Sequence, residues 1–232
     1  MRSADLDLVR TQPLFSGMSG EHLDDLLRAA FLQRFPAHVE LIREGEPADF
    51  LHVIIEGQVE IFARYRQRET TVSVVGPQAS FILAAVILDH PYLKSARVLS
   101  PARILMIPAE SVRAAFAHDA NFARTISHEL AHAYRGVVKE LKNQKLRSAI
   151  ERLAAWLVRY NAEMGGRDQF ELPFDKKILA SRLGMVPEVL SRTFVSLRQY
   201  GVKVDGPRIQ INDPAGLAKL AVPDDLIDDP AS

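Results

Sequence analysis

The chain of 232 residues contains no cysteine. This excludes disulfides, zinc–thiolate sites, cysteine-ligated iron–sulfur clusters and cysteine redox sensing. It also lacks an apolar run long enough to span a membrane, and its N-terminus lacks a secretory signal pattern. A cytoplasmic protein with no membrane partner is expected. There is no G-x-G-x-x-G run and no P-loop. Net charge is absent too, with 29 basic and 29 acidic groups. Its distribution is uneven: −3 over residues 1–110, +3 over 111–145, +4 over 146–212 and −4 over 213–232. A nucleic-acid surface needs only local positive charge, which this distribution permits.

What is present is a hydrophobic fraction of 47%, enough for a real core in one or two domains. Residues 5–32 read as helical, with Ser19 capping a helix whose inward stripe is Leu23, Leu26, Leu27 and Ala30. From Phe35 the pattern shortens. Val39, Leu41, Leu51, Val53, Ile55, Val59, Ile61, Phe62, Val72 and Val74 fall in partly alternating runs, punctuated by glycine and proline. Such runs predict an antiparallel roll or barrel. Gly57, between Glu56 and Gln58, reads as a hairpin turn. Residues 80–93 are apolar enough to form a short closing helix before strands resume at Lys94–Leu99 and Ala102–Ile107.

Asp119–Asn121 begins a longer helix. Phe122, Ile126, Leu130, Ala133, Val137 and Leu141 step along it by 4, 4, 3, 4 and 4. Such a seam suits packing against a second copy of the chain, in preference to packing only on its own roll. A break is expected near Asn143–Leu146, followed by a helix with Ile150, Leu153, Ala154, Leu157 and Val158 inward.

Phe174–Gly201 reads as two short helices joined by a tight turn at Gly184. Ile178, Leu179 and Leu183 face inward in the first, and Val189, Leu190, Phe194 and Leu197 in the second. Pro187 suits a first helical turn, and Asp175 a cap. The pair fits either a core hairpin or a DNA-reading helix-turn-helix. The Asp205–Gly206 pair, flanked by Val202–Val204 and Arg208–Ile211, predicts a β-hairpin directly after it, hence a winged helix-turn-helix. The acidic end is expected to fray after Leu220.

The order roll, seam helix and winged helix-turn-helix resembles the CRP/FNR superfamily of bacterial transcription regulators. Three stretches carry the resemblance: GEPADFLHVIIEGQVEIF (Gly45–Phe62), the long helix, and E-x-x-S-R at Glu188, Ser191 and Arg192. It implies an α+β fold of jelly-roll type: a β-roll sensor over 1–118, a dimerisation helix over 119–145, a winged domain over 146–220, and an acidic tail over 221–232. It also implies a homodimeric activator that binds double-stranded DNA and RNA polymerase. A signal would act by rotating the winged domains about the break near Asn143.

The E-x-x-S-R motif resembles the FNR branch, which reads an inverted repeat of the TTGAT–N4–ATCAA type. Arg192 offers a planar fork to guanine, Glu188 can accept from cytosine N4, and Ser191 can touch a base edge. CRP-type members usually carry arginine immediately before this glutamate, where Pro187 stands here. Lys176, Lys177, Arg182, Arg198, Lys203 and Arg208 are candidates for phosphate contacts.

The sensor-pocket candidates are Phe81, Leu83, His90, Lys94 and Ser95. Cyclic-nucleotide members hold the ribose with a Gly-Glu pair, here Ile82-Leu83, and the phosphate with Arg-Ser, here Lys94-Ser95. Leu83 cannot satisfy a ribose hydroxyl, so cyclic nucleotide is not expected. The stretch FILAAVILDHPYLKSA resembles DNR-type members, which are associated with haem-dependent nitric oxide sensing. Haem is therefore a candidate cofactor, with His90, His128 and His132 as candidate ligands. A filled roll that needs no signal is the alternative. His128-Glu129-Leu130-Ala131-His132 also matches the zincin pattern, which leaves a zinc-dependent enzyme as a remote alternative. No catalytic residue is otherwise expected.

Overall fold

Short alternating runs separated by turns fold as antiparallel strands in the first half of the chain. The computed structural model describes residues 3–229. The chain divides into two compact units between residues 133 and 134.

In the first unit, α1 (Ser3–Arg10) and α2 (Gly20–Ala29) precede β1 (Phe31–Phe35), β2 (Glu40–Ile42), β3 (Phe50–Tyr65), β4 (Arg68–Val75) and β5 (Ser80–Phe81). Then follow α3 (Leu83–Leu88), β6 (Ser95–Pro108), α4 (Ala109–His118) and α5 (Ala120–Leu146). The sheet order is β1-β6-β3-β4, with β2 on β6 and β5 on β3, all antiparallel. Apolar residues of both long strands fill the interior: Leu51, Val53, Ile54, Val59, Val98, Ile104, Leu105 and Ile107 are fully buried.

The long strands β3 and β6 bend together around Gly57. That residue lies within β3 rather than in a hairpin turn, and the register shifts on both sides of it. Its φ is +91°, and a Cβ would stand 2.6 Å from the Pro101 carbonyl oxygen. The glycine makes a bulge that lets the strand fold over. The two strand segments expected at 94–107 are likewise one bent strand, β6.

Asp119 joins the helices that cover the roll. One carboxylate oxygen accepts from the N–H groups of Asn121 and Phe122 at 3.0 and 2.9 Å. The other accepts from the Ser19 N–H at 3.0 Å and lies 2.9 Å from His22 Nδ1. One side chain thus serves the starts of α2 and α5.

The α5 seam divides. Phe122 and Ile126 are fully buried in the first unit's own core, with Leu130 partly buried against it. Phe122 and Ile126 therefore have no surface to offer a second chain, which corrects the expectation for those two positions. Ala133 is exposed, as are Val137 at 65% and Leu141 at 55%. Beside them Tyr134 stands exposed at 70%.

The helix runs unbroken past Asn143 to Leu146, so the break falls at Arg147–Ser148. There Ser148 and Glu151 form a reciprocal capping box that starts α6 (Ala149–Glu163). The second unit continues with β7 (Gln169–Glu171), α7 (Lys176–Arg182), α8 (Pro187–Leu197), β8 (Val202–Asp205), β9 (Arg208–Ile211), α9 (Pro214–Ala221) and α10 (Asp225–Asp228). Its sheet order is β7-β9-β8. Leu153, Ala154, Leu157, Leu179, Leu190, Leu197 and Ile209 form its core. Trp156 stacks on Tyr160 at 5.1 Å, and Tyr160 meets Phe170 edge-on.

Fraying after Leu220 is not observed over residues 221–229. Ile227 is buried, and the Arg147 guanidinium holds Asp228 through two contacts of 2.8 and 2.5 Å. Charge pairing and one apolar anchor order a stretch whose composition reads as loose.

Candidate nucleic-acid interface

The spacing of apolar residues in Phe174–Gly201 decides which face of each helix is covered. Leu179, Ala180 and Leu183 are buried in α7 and the turn that follows, and Leu190, Thr193, Phe194 and Leu197 in α8. Asp175 occupies the N-cap position of α7, although its side chain makes no capping hydrogen bond. The turn closes through the Met185 N–H, which donates to the Ala180 carbonyl at 3.0 Å. Gly184 has φ +65° there, a left-handed conformation that side chains resist. Pro187 opens α8 at its first position, where a missing N–H costs nothing.

The opposite face of α8 is free. Glu188, Ser191 and Arg192 are all exposed. Among the described residues none of their side chains has a hydrogen-bond or ion-pair partner, so all three are available to an incoming surface. Thr193 and Ser196 hydroxyls instead donate back to the Val189 and Arg192 carbonyls, at 2.7 and 3.2 Å. Two residues missed in the sequence join this face. Val186 and Val195 are each 57% exposed, an uncovered apolar element beside the polar triplet. Their signal was an apolar residue off the buried stripe.

The hairpin β8–β9 follows α8 after one short helical turn at Arg198–Tyr200. Asp205 pairs with Arg208, so the turn is Gly206–Pro207, one residue later than the sequence suggests. Lys177, Arg198, Lys203 and Arg208 are exposed. Arg208 lies 3.9 Å from Glu171, with both side chains more than half in solvent. Lys176 is half-buried, its ammonium 5.7 Å from the centre of the Phe194 ring. Arg182 differs from the other candidates. It is half-buried and lines a cleft between helices of its own unit.

In the first unit the sensor candidates divide between the packed interior and the surface. Phe81 and Leu83 are buried, and so is Ser95, whose hydroxyl accepts from the Glu44 N–H at 3.0 Å. Lys94 is half-buried, and burial pushes its pKa below the usual lysine value. Ile82 stands immediately before α3 with φ 65°, an unusual conformation for a β-branched residue.

His90 is exposed, beyond the left-handed Asp89 that ends α3, and so does not face an enclosed pocket as expected. His128 and His132 are exposed on α5. These three do not fit haem, which needs an apolar pocket around its ligand. Nor do they fit a zinc site: among the described residues no group of three or more histidines or carboxylates is placed to hold a metal. His52 is a further histidine of the roll, on β3. It is buried against Phe81, ring centres 5.1 Å apart, and among the described residues neither ring nitrogen makes a hydrogen bond of good geometry, the Phe50 backbone offering only a weak contact. Burial pushes its pKa down to about 4, so it is neutral at ordinary pH.

Comparison with known proteins accords with both units. The profile of the cyclic nucleotide-binding domain matches residues 32–119, and that of the Crp-like helix-turn-helix domain matches residues 151–220. A CRP-like cAMP-activated global transcriptional regulator of Mycobacterium tuberculosis is 22% identical over 214 residues, 90% of this chain and 96% of the relative. The transcriptional activator protein FnrA of Stutzerimonas stutzeri is 22% identical over 186 residues, 78% of this chain and 76% of the relative. The solved structure of FixK2 from Bradyrhizobium japonicum superposes with a TM-score of 0.72 at 19% identity, covering 84% of this chain and 98% of that one, a likeness of fold.

Proposed function

The chain belongs to the CRP/FNR superfamily of bacterial DNA-binding transcription regulators, and from that premise we propose that it is a homodimer of the FNR type. It is a regulator rather than an enzyme, as its relatives are. In this reading α8 enters the major groove and reads an inverted repeat of the TTGAT–N4–ATCAA kind. The observation that carries it is the exposed, unpaired triplet Glu188, Ser191 and Arg192 on a helix whose other face is anchored by Leu190, Phe194 and Leu197. Arg192 reads guanine O6 and N7, Glu188 accepts from cytosine N4, and Val195 is at hand for a thymine methyl. Lys177, Arg198 and Lys203 bind phosphates and set the register.

Dimerisation uses the second half of α5, where Ala133, Val137 and Leu141 form an uncovered stripe with Tyr134. Paired helices set the two reading helices about 34 Å apart, one turn of DNA. Other surfaces of the dimer meet RNA polymerase.

The roll acts without a diffusible ligand. The Mycobacterium tuberculosis relative is named as cAMP-activated, but here Ile82 and Leu83 stand where a ribose-binding Gly-Glu pair is needed. Leu83 and Val86 are buried in the core, and the Ser95 hydroxyl is already engaged. Footprinting on the TTGAT–N4–ATCAA repeat without any effector tests the reading. Protection of both half-sites is expected, and is expected to be unchanged by cAMP. Protection that appears only with cAMP overturns the ligand-free reading, and no preference for the repeat over random DNA overturns the FNR-type reading.

A further inference from the structure

The second unit holds a cleft apart from the base-reading face of Glu188, Ser191 and Arg192. It lies between the end of α5, α6, the end of α7 and α10, with about 270 Å³ of empty space, its mouth included. Four arginines line it: Arg147, Arg152, Arg159 and Arg182. Two of them are occupied. Arg147 clamps Asp228 and also donates to the Val222 carbonyl at 2.9 Å. Arg152 donates to the Leu183 and Arg147 carbonyls at 2.9 and 2.7 Å.

The other two are not. Among the described residues neither Arg159 nor Arg182 has a hydrogen-bond or ion-pair partner. Both are half-buried. Burial, and next the nearby Arg159 charge, push the Arg182 pKa down, with Glu140 and Glu163 offsetting part of that. Glu140 lines the cleft, but one of its oxygens already accepts from the Gln144 side chain at 3.0 Å. Asp228, which lines the same cleft, acts on Arg159 through its charge, but its oxygens are engaged by Arg147. The two guanidiniums therefore keep free donors in a partly desolvated space, where each raises the cost of the other's charge. Guanidinium forks match the oxygens of phosphate and bind them bidentately.

We propose that this cleft is a binding site for a phosphate-type oxyanion, gripped by Arg159 and Arg182. The site stands whether or not the DNA-reading assignment is correct, because every residue it uses lies in one folded unit. Two sources can present that chemistry, a free phosphate-bearing molecule or a phosphate of the DNA backbone.

The test is calorimetric titration of the full-length protein with inorganic phosphate, against sodium chloride at matched ionic strength. Saturable binding to phosphate and none to chloride is expected. Arg159→Gln and Arg182→Gln, each checked for an unchanged circular dichroism spectrum, are expected to weaken phosphate binding at least tenfold. Arg182→Lys is expected to fall between. Should Arg182→Gln fail to fold, Arg159→Gln carries the test alone. Repeating the titration on protein saturated with DNA identifies the source. Lost phosphate binding marks a backbone phosphate as the occupant, and retained binding marks a free one; both support the site. Equal heats with phosphate and chloride, or unaltered binding in folded variants of both arginines, overturns it.

Discussion

Gly57 and Ala102 approach so closely that a Cβ on residue 57 would stand 2.7 Å from the Ala102 Cα. No side chain fits at a φ of +91° in that space. Gly57→Ala is expected to destabilise the first unit by about 2–4 kcal/mol, combining backbone strain with overpacking. Urea denaturation followed by circular dichroism checks it. A midpoint within error of the parent would mean the two strands do not meet at this bulge.

Asp119 ties the starts of α2 and α5 through one carboxylate. The Phe122 and Ser19 N–H groups and the His22 side chain hold its pKa far below the ordinary 3.8. A depressed carboxylate stabilises the fold above its unfolded pKa, and that contribution is lost as pH falls below about 4. Asp119→Ala is therefore expected to cost about 1–2 kcal/mol at pH 7 and clearly less at pH 2.5. Equal losses at the two pH values would contradict this role.

Arg147 and Asp228 form a two-pronged pair, with side chains 7% and 23% exposed. Burial raises the Asp228 pKa, but the Arg147 hydrogen bonds, the Asp224 N–H and the charges of Arg147 and Arg159 together outweigh it and hold the carboxyl below its usual range. Asp228→Asn leaves a buried guanidinium without its countercharge and is expected to cost about 2–3 kcal/mol. The single tryptophan, Trp156, is buried in the same unit and reports its unfolding by fluorescence. An unchanged midpoint would mean the Arg147–Asp228 pair contributes nothing to the fold.

Val137 stands 65% exposed on the half of α5 that its own fold leaves uncovered. Val137→Glu is expected to shift the protein from dimer towards monomer in sedimentation equilibrium, without loss of helical content. Val137→Leu is expected to leave the dimer intact. An unchanged dimer mass for the glutamate variant would place the interface elsewhere.

These residues also show where sequence reasoning reaches. The helix-turn-helix was legible because its signals are local: apolar spacing of 3.6, Pro187 at a helix start, and a D-G pair near a hairpin. The α5 seam was legible as a stripe but not as two halves. Periodicity marks Phe122 and Val137 alike, and only the three-dimensional fold decides that the first is covered by the roll and the second is not. Gly57 was misread because glycine between polar neighbours signals a turn and a bulge equally well. The order at Asp228 was hidden because its partner, Arg147, lies 81 residues away. The unpaired state of Arg159 and Arg182 was hidden for the same reason: which arginines find partners depends on contacts distant in sequence.

The most direct test of the central claim measures binding of the parent protein and Arg192→Ala to the TTGAT–N4–ATCAA repeat and to copies changed at one base pair at a time. Base reading by Arg192 predicts that the variant loses about 1–3 kcal/mol of discrimination at a single symmetric guanine position while preferences elsewhere persist. An equal loss of affinity for the repeat and for random DNA, with every base preference intact, would contradict it.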